Sequence, residues 1–377
     1  MNVFGGVISF GMGPLGKLAT IIEVSEDIQW FGCGEKMLNG VFATNPFLDC
    51  CWSKEPEILR AFAQHYQIVA AVVVLDAELA LILESIGISV VYVDSLPFLW
   101  TEGDILPSDV SVYCAQLFPE LPQTCWNSIQ SIKRLRWVNA IVLPGIQSQP
   151  KTLRCGVVVN FGGVHSSISS GFEYVDVVLP PLLRGLFECG FNNVTVTGSA
   201  DVVEYMEKTY SNNVDLLLPK GIKYASLPHH DFIDKIAFST LLITSPGLTT
   251  LLETFELDVP TLLLPPQNFS QYTNSSMYHK YTEGVEVITW PQKSLQLESL
   301  KPLANFGELC VVAEIYNAIS KSVGNSAVAD YIQREIISSI KRLEQVEKRS
   351  LLPKFISSSG AFDVLGFLYQ LVKIENK

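Results

Sequence analysis

One pattern recurs along the 377 residues: a β-branched, leucine-rich run of strand length, a glycine turn, then apolar residues at helical spacing. Residues 2–31 carry strand, Gly-rich turn, helix and strand, and strands follow at 68–75 and 88–93. Residues 144–152, with Pro144, Gly145, Ser148 and Pro150, read as a linker between a strand at 139–143 and a new strand at 154–161. Beyond it the pattern restarts: a turn at Gly162 and Gly163, a helix over 174–189, a strand over 194–197, a helix over 200–210, a strand over 214–218. Residues 297–373 are helical in pattern, most strongly over 308–322 and 327–347. The alternation predicts an α/β fold with parallel strands, and the length exceeds that of a usual single core.

Composition removes several function classes. The hydrophobic fraction is 48% and mean hydropathy +0.28, yet no apolar run approaches the roughly 18 residues that a spanning helix needs. Residues 2–10 read as a strand with no basic region or cleavage site before them, so the expectation is a cytosolic protein with no membrane span. A net charge of −12 argues against nucleic acid or an anionic membrane surface as partner. The eight cysteines contain no C-x-x-C and no zinc-like grouping with histidine, so reduced and mostly buried thiols are expected.

The most informative motif lies near residue 250. A strand at 236–244 ends in Ser245, Pro246 and Gly247, and residues 248–256 follow at helical spacing with Thr249 and Thr250 in the first turn. Free backbone N–H groups, two hydroxyls and the positive end of the helix dipole converge there, which suits phosphate. Glu253 lies about one turn further in, where its carboxylate would accept both hydroxyls of a ribose. A second strand, 259–264, delivers Gln267, Asn268 and Gln271, uncharged groups that donate and accept toward sugar hydroxyls. The ordinary alternative is a strand-turn-helix-strand unit with a polar loop.

Residues 231–271 resemble the donor-binding signature of GT-B glycosyltransferases. The resemblance implies two Rossmann-like domains facing across a cleft, with Gly247, Thr249 and Thr250 on the diphosphate of a nucleotide sugar, Glu253 on its ribose, and Gln267, Asn268 and Gln271 on the transferred sugar. The expected division is 1–146 for the acceptor domain, 153–355 for the donor domain, and 356–377 for a C-terminal helix packing back on the first. Gly162, Gly163 and Ser166 would face the donor phosphates, and His165 would help neutralise the leaving group. His229 and His230 fall in the nucleobase loop, with backbone contacts expected from Leu227 and His229. No D-x-D motif occurs, and the family resemblance implies no metal and no cofactor, the nucleotide sugar being a co-substrate.

The first domain is less explicit. Gly11, Gly13 and Gly16 fit a dinucleotide fingerprint with Glu35 beyond, and Gly11, Gly16 and Lys17 fit a phosphate loop. Glu35 follows Gly32, Cys33 and Gly34 instead of closing a strand, and Leu18 stands where a magnesium-binding Ser or Thr belongs. The remaining reading makes residues 9–17 an acceptor rim that includes Gly11, Gly13 and Lys17. Such loops often carry a catalytic histidine in GT-B enzymes, and none occurs here. Asp94, ending a strand and opening an aromatic loop, is the first candidate for a general base, with Phe98 and Trp100 sandwiching a flat acceptor. Its alternative is a turn-fixing Asp94 with Trp100 as packing. Asp76, at another strand end, is the second candidate.

The blocks 93–100, 113–116 and 135–138, together with the Gly-Pro-Leu-Gly-Lys loop at 13–17, are similar to those of the cytosylglucuronate synthase group. That narrower resemblance implies UDP-glucuronate as donor and a cytosine-like acceptor, with Lys17, Lys280 or Arg136 for the glucuronate carboxylate. A non-catalytic nucleotide-sugar-binding protein and an NAD-dependent oxidoreductase are the other function classes.

Overall fold

The computed structural model describes residues 1–8, 12–36, 45–100, 106–146, 148–164, 169–211, 221–304, 308–346 and 357–375. It forms two compact units, Met1–Gly145 with Lys354–Lys377, and Ile146–Pro353.

Unit 1 runs β1 (Asn2–Val7), α1 (Gly13–Glu23), β2 (Gln29–Cys33), β3 (Phe47–Cys51), α2 (Pro56–Tyr66), β4 (Ala70–Val74), α3 (Ala77–Ser85), β5 (Ser89–Asp94), β6 (Val112–Gln116), α4 (Gln123–Ile129) and β7 (Leu135–Val138). Its seven strands are ordered β3-β2-β1-β4-β5-β6-β7, every described pairing parallel. All five residues of β4 are fully buried, which a strand covered on both faces requires. Successive side chains alternate between two cores: Val72 and Val74 join Leu15 and Leu18 of α1, whereas Ala71 and Val73 join Leu59 of α2 and Leu79 of α3.

Unit 2 runs β8 (Val157–Asn160), α5 (Phe172–Glu188), β9 (Val194–Thr197), α6 (Ala200–Tyr210), β10 (Ile222–Ala225), α7 (His229–Ala237), β11 (Leu241–Thr244), α8 (Leu248–Leu257), β12 (Thr261–Leu263), α9 (Phe269–Tyr281), β13 (Val285–Val287), α10 (Lys301–Ala304), α11 (Glu308–Ser322) and α12 (Ser326–Glu344). Its strands are ordered β10-β9-β8-β11-β12-β13, again parallel. Ile332, Ile336, Ile340 and Leu343 form one buried stripe of α12, which packs on α5. Each such side chain contributes about 2 kcal/mol of transfer free energy on burial.

The last helix, α13 (Gly360–Glu375), belongs to unit 1 and buries Ala361, Val364, Leu365 and Leu368 in the α1 core. Asn139 fastens its start: the Asn139 amide donates to Ser359 Oγ and Asp363 Oδ2, both at 3.0 Å.

Two sequence expectations change. Residues 139–143 form no strand, although 140–143 are buried; β7 ends at Val138, and the Ala140 carbonyl accepts from Gly360 N–H of the returning helix at 3.1 Å. The strand expected over 236–244 begins only at Leu241, because Ile233, Ile236 and Ala237 form the buried face of α7. A short apolar run does not separate a helix end from a strand start. The strand expected over 214–218 lies outside the described residues, and β10 follows it.

Candidate functional site

The chain leaves β8 toward β9 and β11 toward β12, on opposite sides, so the boundary between β8 and β11 is the switch point of the unit 2 sheet. Asn160 stands opposite Thr244 in register. Its amide donates to Thr244 Oγ1 at 3.1 Å, and its Oδ1 accepts the Gly162 N–H at 2.8 Å. One buried side chain, unremarked in the sequence, thus ties the turn after β8 to the end of β11. Gly163 takes φ +75° in that turn, with no atom within 4 Å of where a Cβ would stand. His165 and Ser166 lie outside the described residues.

The turn after β11 opens α8. Gly247 is its N-cap, with φ −73° and no side-chain cap, and the nearest atom to a Cβ there would be Ser245 O at 4.0 Å. The start of α8 therefore meets open space at Gly247, with Thr249 buried and Thr250 half-buried in its first turn. The other end is closed by a cation. Arg154 donates to Asp258 O at 2.6 Å and Leu257 O at 2.9 Å, and is steadied by Gln149 O at 3.0 Å and Ser148 Oγ at 2.9 Å. A guanidinium on the terminal carbonyls satisfies the negative end of the dipole and leaves the positive end to attract an anion. Sequence reading missed Arg154, whose partners at the end of α8 lie 103 and 104 residues away.

Glu253 sits on α8 with 1% of its side chain exposed, and its Oε1 lies 2.6 Å from His229 Nε2 at the start of α7. An ionised carboxylate only accepts, so Nε2 carries the hydrogen and donates. The sequence pointed to His229 for its backbone; the structure engages its ring. A ribose arriving at Glu253 would exchange one donor for two hydroxyls.

The loop after β12 is bonded to the protein's own groups. Gln267 is buried; its backbone N–H donates to Gln271 Oε1 at 2.9 Å, its Oε1 accepts from Tyr316 OH at 3.1 Å, and its Nε2 donates to Ser245 Oγ at 3.3 Å. Asn268 caps α9, its Oδ1 accepting from Gln271 N and Ser270 Oγ, each at 2.8 Å. All three polar side chains bond within the protein and pin the loop beside the α8 turn. Uncharged amides serve backbone and sugar equally well, so composition does not distinguish the two uses.

In unit 1 the structure matches the turn-fixing alternative for Asp94. Its side chain is fully buried; Oδ2 accepts from Trp100 Nε1 at 2.6 Å and Tyr113 OH at 2.8 Å, and Oδ1 from Leu96 N at 3.0 Å. Burial raises its pKa to about 6, against the pull of those three donors. A carboxyl titrating there suits a general base, but the geometry decides the matter: both oxygens are spent on the protein's own groups. Phe98 is likewise buried, stacked on Phe118 at 4.0 Å, and is unavailable to sandwich an acceptor with Trp100. Asp76 caps α3 by accepting from Leu79 N at 3.0 Å, and pairs with Lys54 at 3.0 Å. Lys54 also holds Glu35, the acid of the dinucleotide fingerprint, at 3.3 Å. Gly13 is the first residue of α1, and Lys17 is buried with its Nζ 3.2 Å from Ile141 O, so it is no rim residue. Gly11 lies outside the described residues.

Among the described residues, no group of three or more His, Cys, Asp or Glu is placed to hold a metal ion, and no helix is long and apolar enough to cross a membrane. The cysteines described are free, with those at 33, 51, 114 and 125 buried.

The sequence matches no family model and no curated protein. Solved structures do match over nearly the whole chain. The UDP-GlcNAc 2-epimerase of Methanocaldococcus jannaschii, solved with UDP-GlcNAc and UDP, has a TM-score of 0.57 at 11% identity, covering 98% of this chain and 100% of its own. A UDP-glucosyltransferase from Polygonum tinctorium capable of glucosylating indoxyl has a TM-score of 0.54 at 13% identity, covering 99% and 98%. The spinosyn forosaminyltransferase SpnP has a TM-score of 0.53 at 14% identity, covering 99% of both chains. Two parallel sheets with interleaved helices, a helical C-terminal segment and this full-length likeness give the chain the two-domain GT-B fold.

Proposed function

We propose that the protein is a glycosyltransferase that moves a sugar from a UDP-linked donor to a small polar acceptor. The observation that carries this reading is α8 itself. Arg154 closes its C-terminal end, Gly247 leaves its start open beside the switch point, and the buried Glu253 waits in its second turn on a histidine.

In this reading the diphosphate accepts from the first-turn N–H groups and from the hydroxyls of Thr249 and Thr250, and Glu253 accepts the ribose hydroxyls. As the glycosidic bond breaks, charge grows on the departing diphosphate. Fixed donors at that point lower the barrier because they are already oriented. The turn after β8 adds the Gly163 N–H on the other side of the switch point, the Gly162 N–H being held by Asn160 Oδ1. Gln267, Asn268 and Gln271 hold the sugar loop in shape. Asp94 positions the loop after β5 and is not the base; no described residue is assigned that role. The transfer proceeds without a bound metal.

The finer assignment is UDP-glucuronate with a cytosine-like acceptor. Its support is the resemblance of the blocks 93–100, 113–116 and 135–138, which form the end of β5 with its loop, β6 and β7. A second reading, sugar epimerisation or hydrolysis without an acceptor, draws on the likeness to the M. jannaschii epimerase.

The test is UDP release and product mass with UDP-glucuronate, UDP-glucose and UDP-GlcNAc, with and without cytosine and nucleoside acceptors, in the presence and absence of EDTA. Acceptor-dependent UDP release that survives EDTA supports the transferase. Conversion of the donor without any acceptor supports the second reading. Donor binding without turnover across the panel identifies a non-catalytic binding protein.

A further inference from the structure

We propose that unit 1 carries a binding site for a flat organic cation, in the cavity between the loop that follows β6 and the paired rings of Trp126 and Trp137. The cavity has a volume of about 480 Å³ and is lined by Phe118, Glu120, Leu121, Trp126 and Trp137 among others, all from unit 1. That size accommodates a small organic molecule.

Two features of the lining select the ligand. Trp126 and Trp137 lie nearly parallel, 12° apart with centroids at 5.7 Å, and Trp126 is 41% exposed. An offset pair of indoles presents π-faces on which a third flat ring continues the stack. Those faces carry negative charge density, tryptophan being the most favourable aromatic partner for a cation, and the Glu120 carboxylate lines the same space. The protein's net charge of −12 adds to the same preference. A lining that sets one carboxylate and the Gln123 amide beside two indoles favours a ring that carries positive charge over a neutral one, and disfavours an anion.

The wall is built in advance. The Cys125 thiol donates to the carbonyls of Phe98 at 3.1 Å and Trp100 at 3.2 Å, so α4 is fastened to the loop after β5. Phe118 stacks on Phe98, and the Trp100 indole donates to Asp94. The buried Asp94 thus anchors the loop against which the pocket's own helix and Phe118 are packed. A ligand meets a surface already ordered, which removes part of the entropic cost of binding.

This site does not rest on the donor reading, since its residues belong to unit 1 and the donor groups to unit 2; either stands if the other fails. The experiment is calorimetric titration of the full chain with 1-methylquinolinium, quinoline at pH 8 and quinoline-2-carboxylate, as flat cation, neutral ring and anion. Wild type is expected to bind the cation about tenfold more tightly than quinoline, and the anion not at all. Trp126→Ala, at an exposed position, should weaken the cation by about tenfold or more, with Trp126→Phe between the two. Glu120→Gln should narrow the preference for the cation while leaving quinoline affinity unchanged. Equal affinity for the three probes, no saturable binding of the cation, or cation binding unchanged by Trp126→Ala overturns the proposal.

Discussion

Asp94 and Glu253 are both buried carboxylates associated with the C-terminal edges of parallel sheets, yet their partners differ in kind. Asp94 is surrounded by neutral donors, a tyrosine, an indole and a backbone N–H. Glu253 has one described side-chain partner, the titratable His229, and shares its helix with an open glycine start. Neutral donors from the carboxylate's own loop and neighbouring strand give a fixed structural post. A single exchangeable donor beside a glycine-opened helix start makes Glu253 the binding group in the proposed function. Burial alone does not separate the two; the character of the partners does.

The comparison breaks first at Asp94→Ala. Removing that carboxylate leaves the Tyr113 hydroxyl and the Trp100 indole N–H buried without an acceptor, and should lower the unfolding free energy by about 4 kcal/mol in urea titration. A stable Asp94→Ala protein that has lost turnover would instead mark Asp94 as a chemical group.

The next effect depends on pH. Asp94 titrates near 6 when folded, above the ordinary 3.8, so the unfolded chain releases this proton first as pH rises. The stability tied to its protonated form is complete below pH about 4 and is lost by pH about 6, amounting to about 3 kcal/mol. Asp94→Asn cannot ionise and lacks this decline. The difference in unfolding free energy between wild type and Asp94→Asn should move by that amount between pH 4 and pH 7; a constant difference would contradict the burial argument.

A smaller loss is expected at the far end of α8. Arg154→Met removes the guanidinium from the carbonyls of Leu257 and Asp258 and should cost about 2 kcal/mol in thermal or urea unfolding. Smallest is Trp100→Phe, which removes one donor from Asp94 and should cost about 1 kcal/mol by the same measurement.

Local chemistry was legible in the sequence, and long-range pairing was not. The turn at Gly247 and the helix behind it could be read because Pro246, Gly247 and a 3.6-residue apolar period lie within a dozen residues. His229 and Glu253 were both singled out, but for separate uses, because nothing local shows that α7 and α8 bring them together across 24 residues. Asn160, Arg154 and Asn139 were passed over for the same reason; the long-range partners that give them their roles lie 84 to 224 residues away. Gln267, Asn268 and Gln271 were read as sugar ligands, and the structure shows each bonded to the protein's own groups, which sequence does not reveal because an amide's direction is set by its neighbours. Residues 139–143 looked like a strand because a hydrophobic run records burial and not hydrogen bonding. Residues 140–143 are buried without forming a strand, beside α13.

Calorimetric titration of UDP into wild type, Glu253→Ala and Asp94→Asn tests the central claim most directly. Loss of the ribose contacts should weaken UDP by about 100-fold in Glu253→Ala, equivalent to about 2.7 kcal/mol, whereas Asp94→Asn should stay within about twofold of wild type. Glu253→Gln, which preserves the volume of the buried side chain, should weaken it by about tenfold and so guards against a folding defect. Unchanged UDP affinity in a folded Glu253→Ala or Glu253→Gln protein would contradict the assignment of α8 as the donor site.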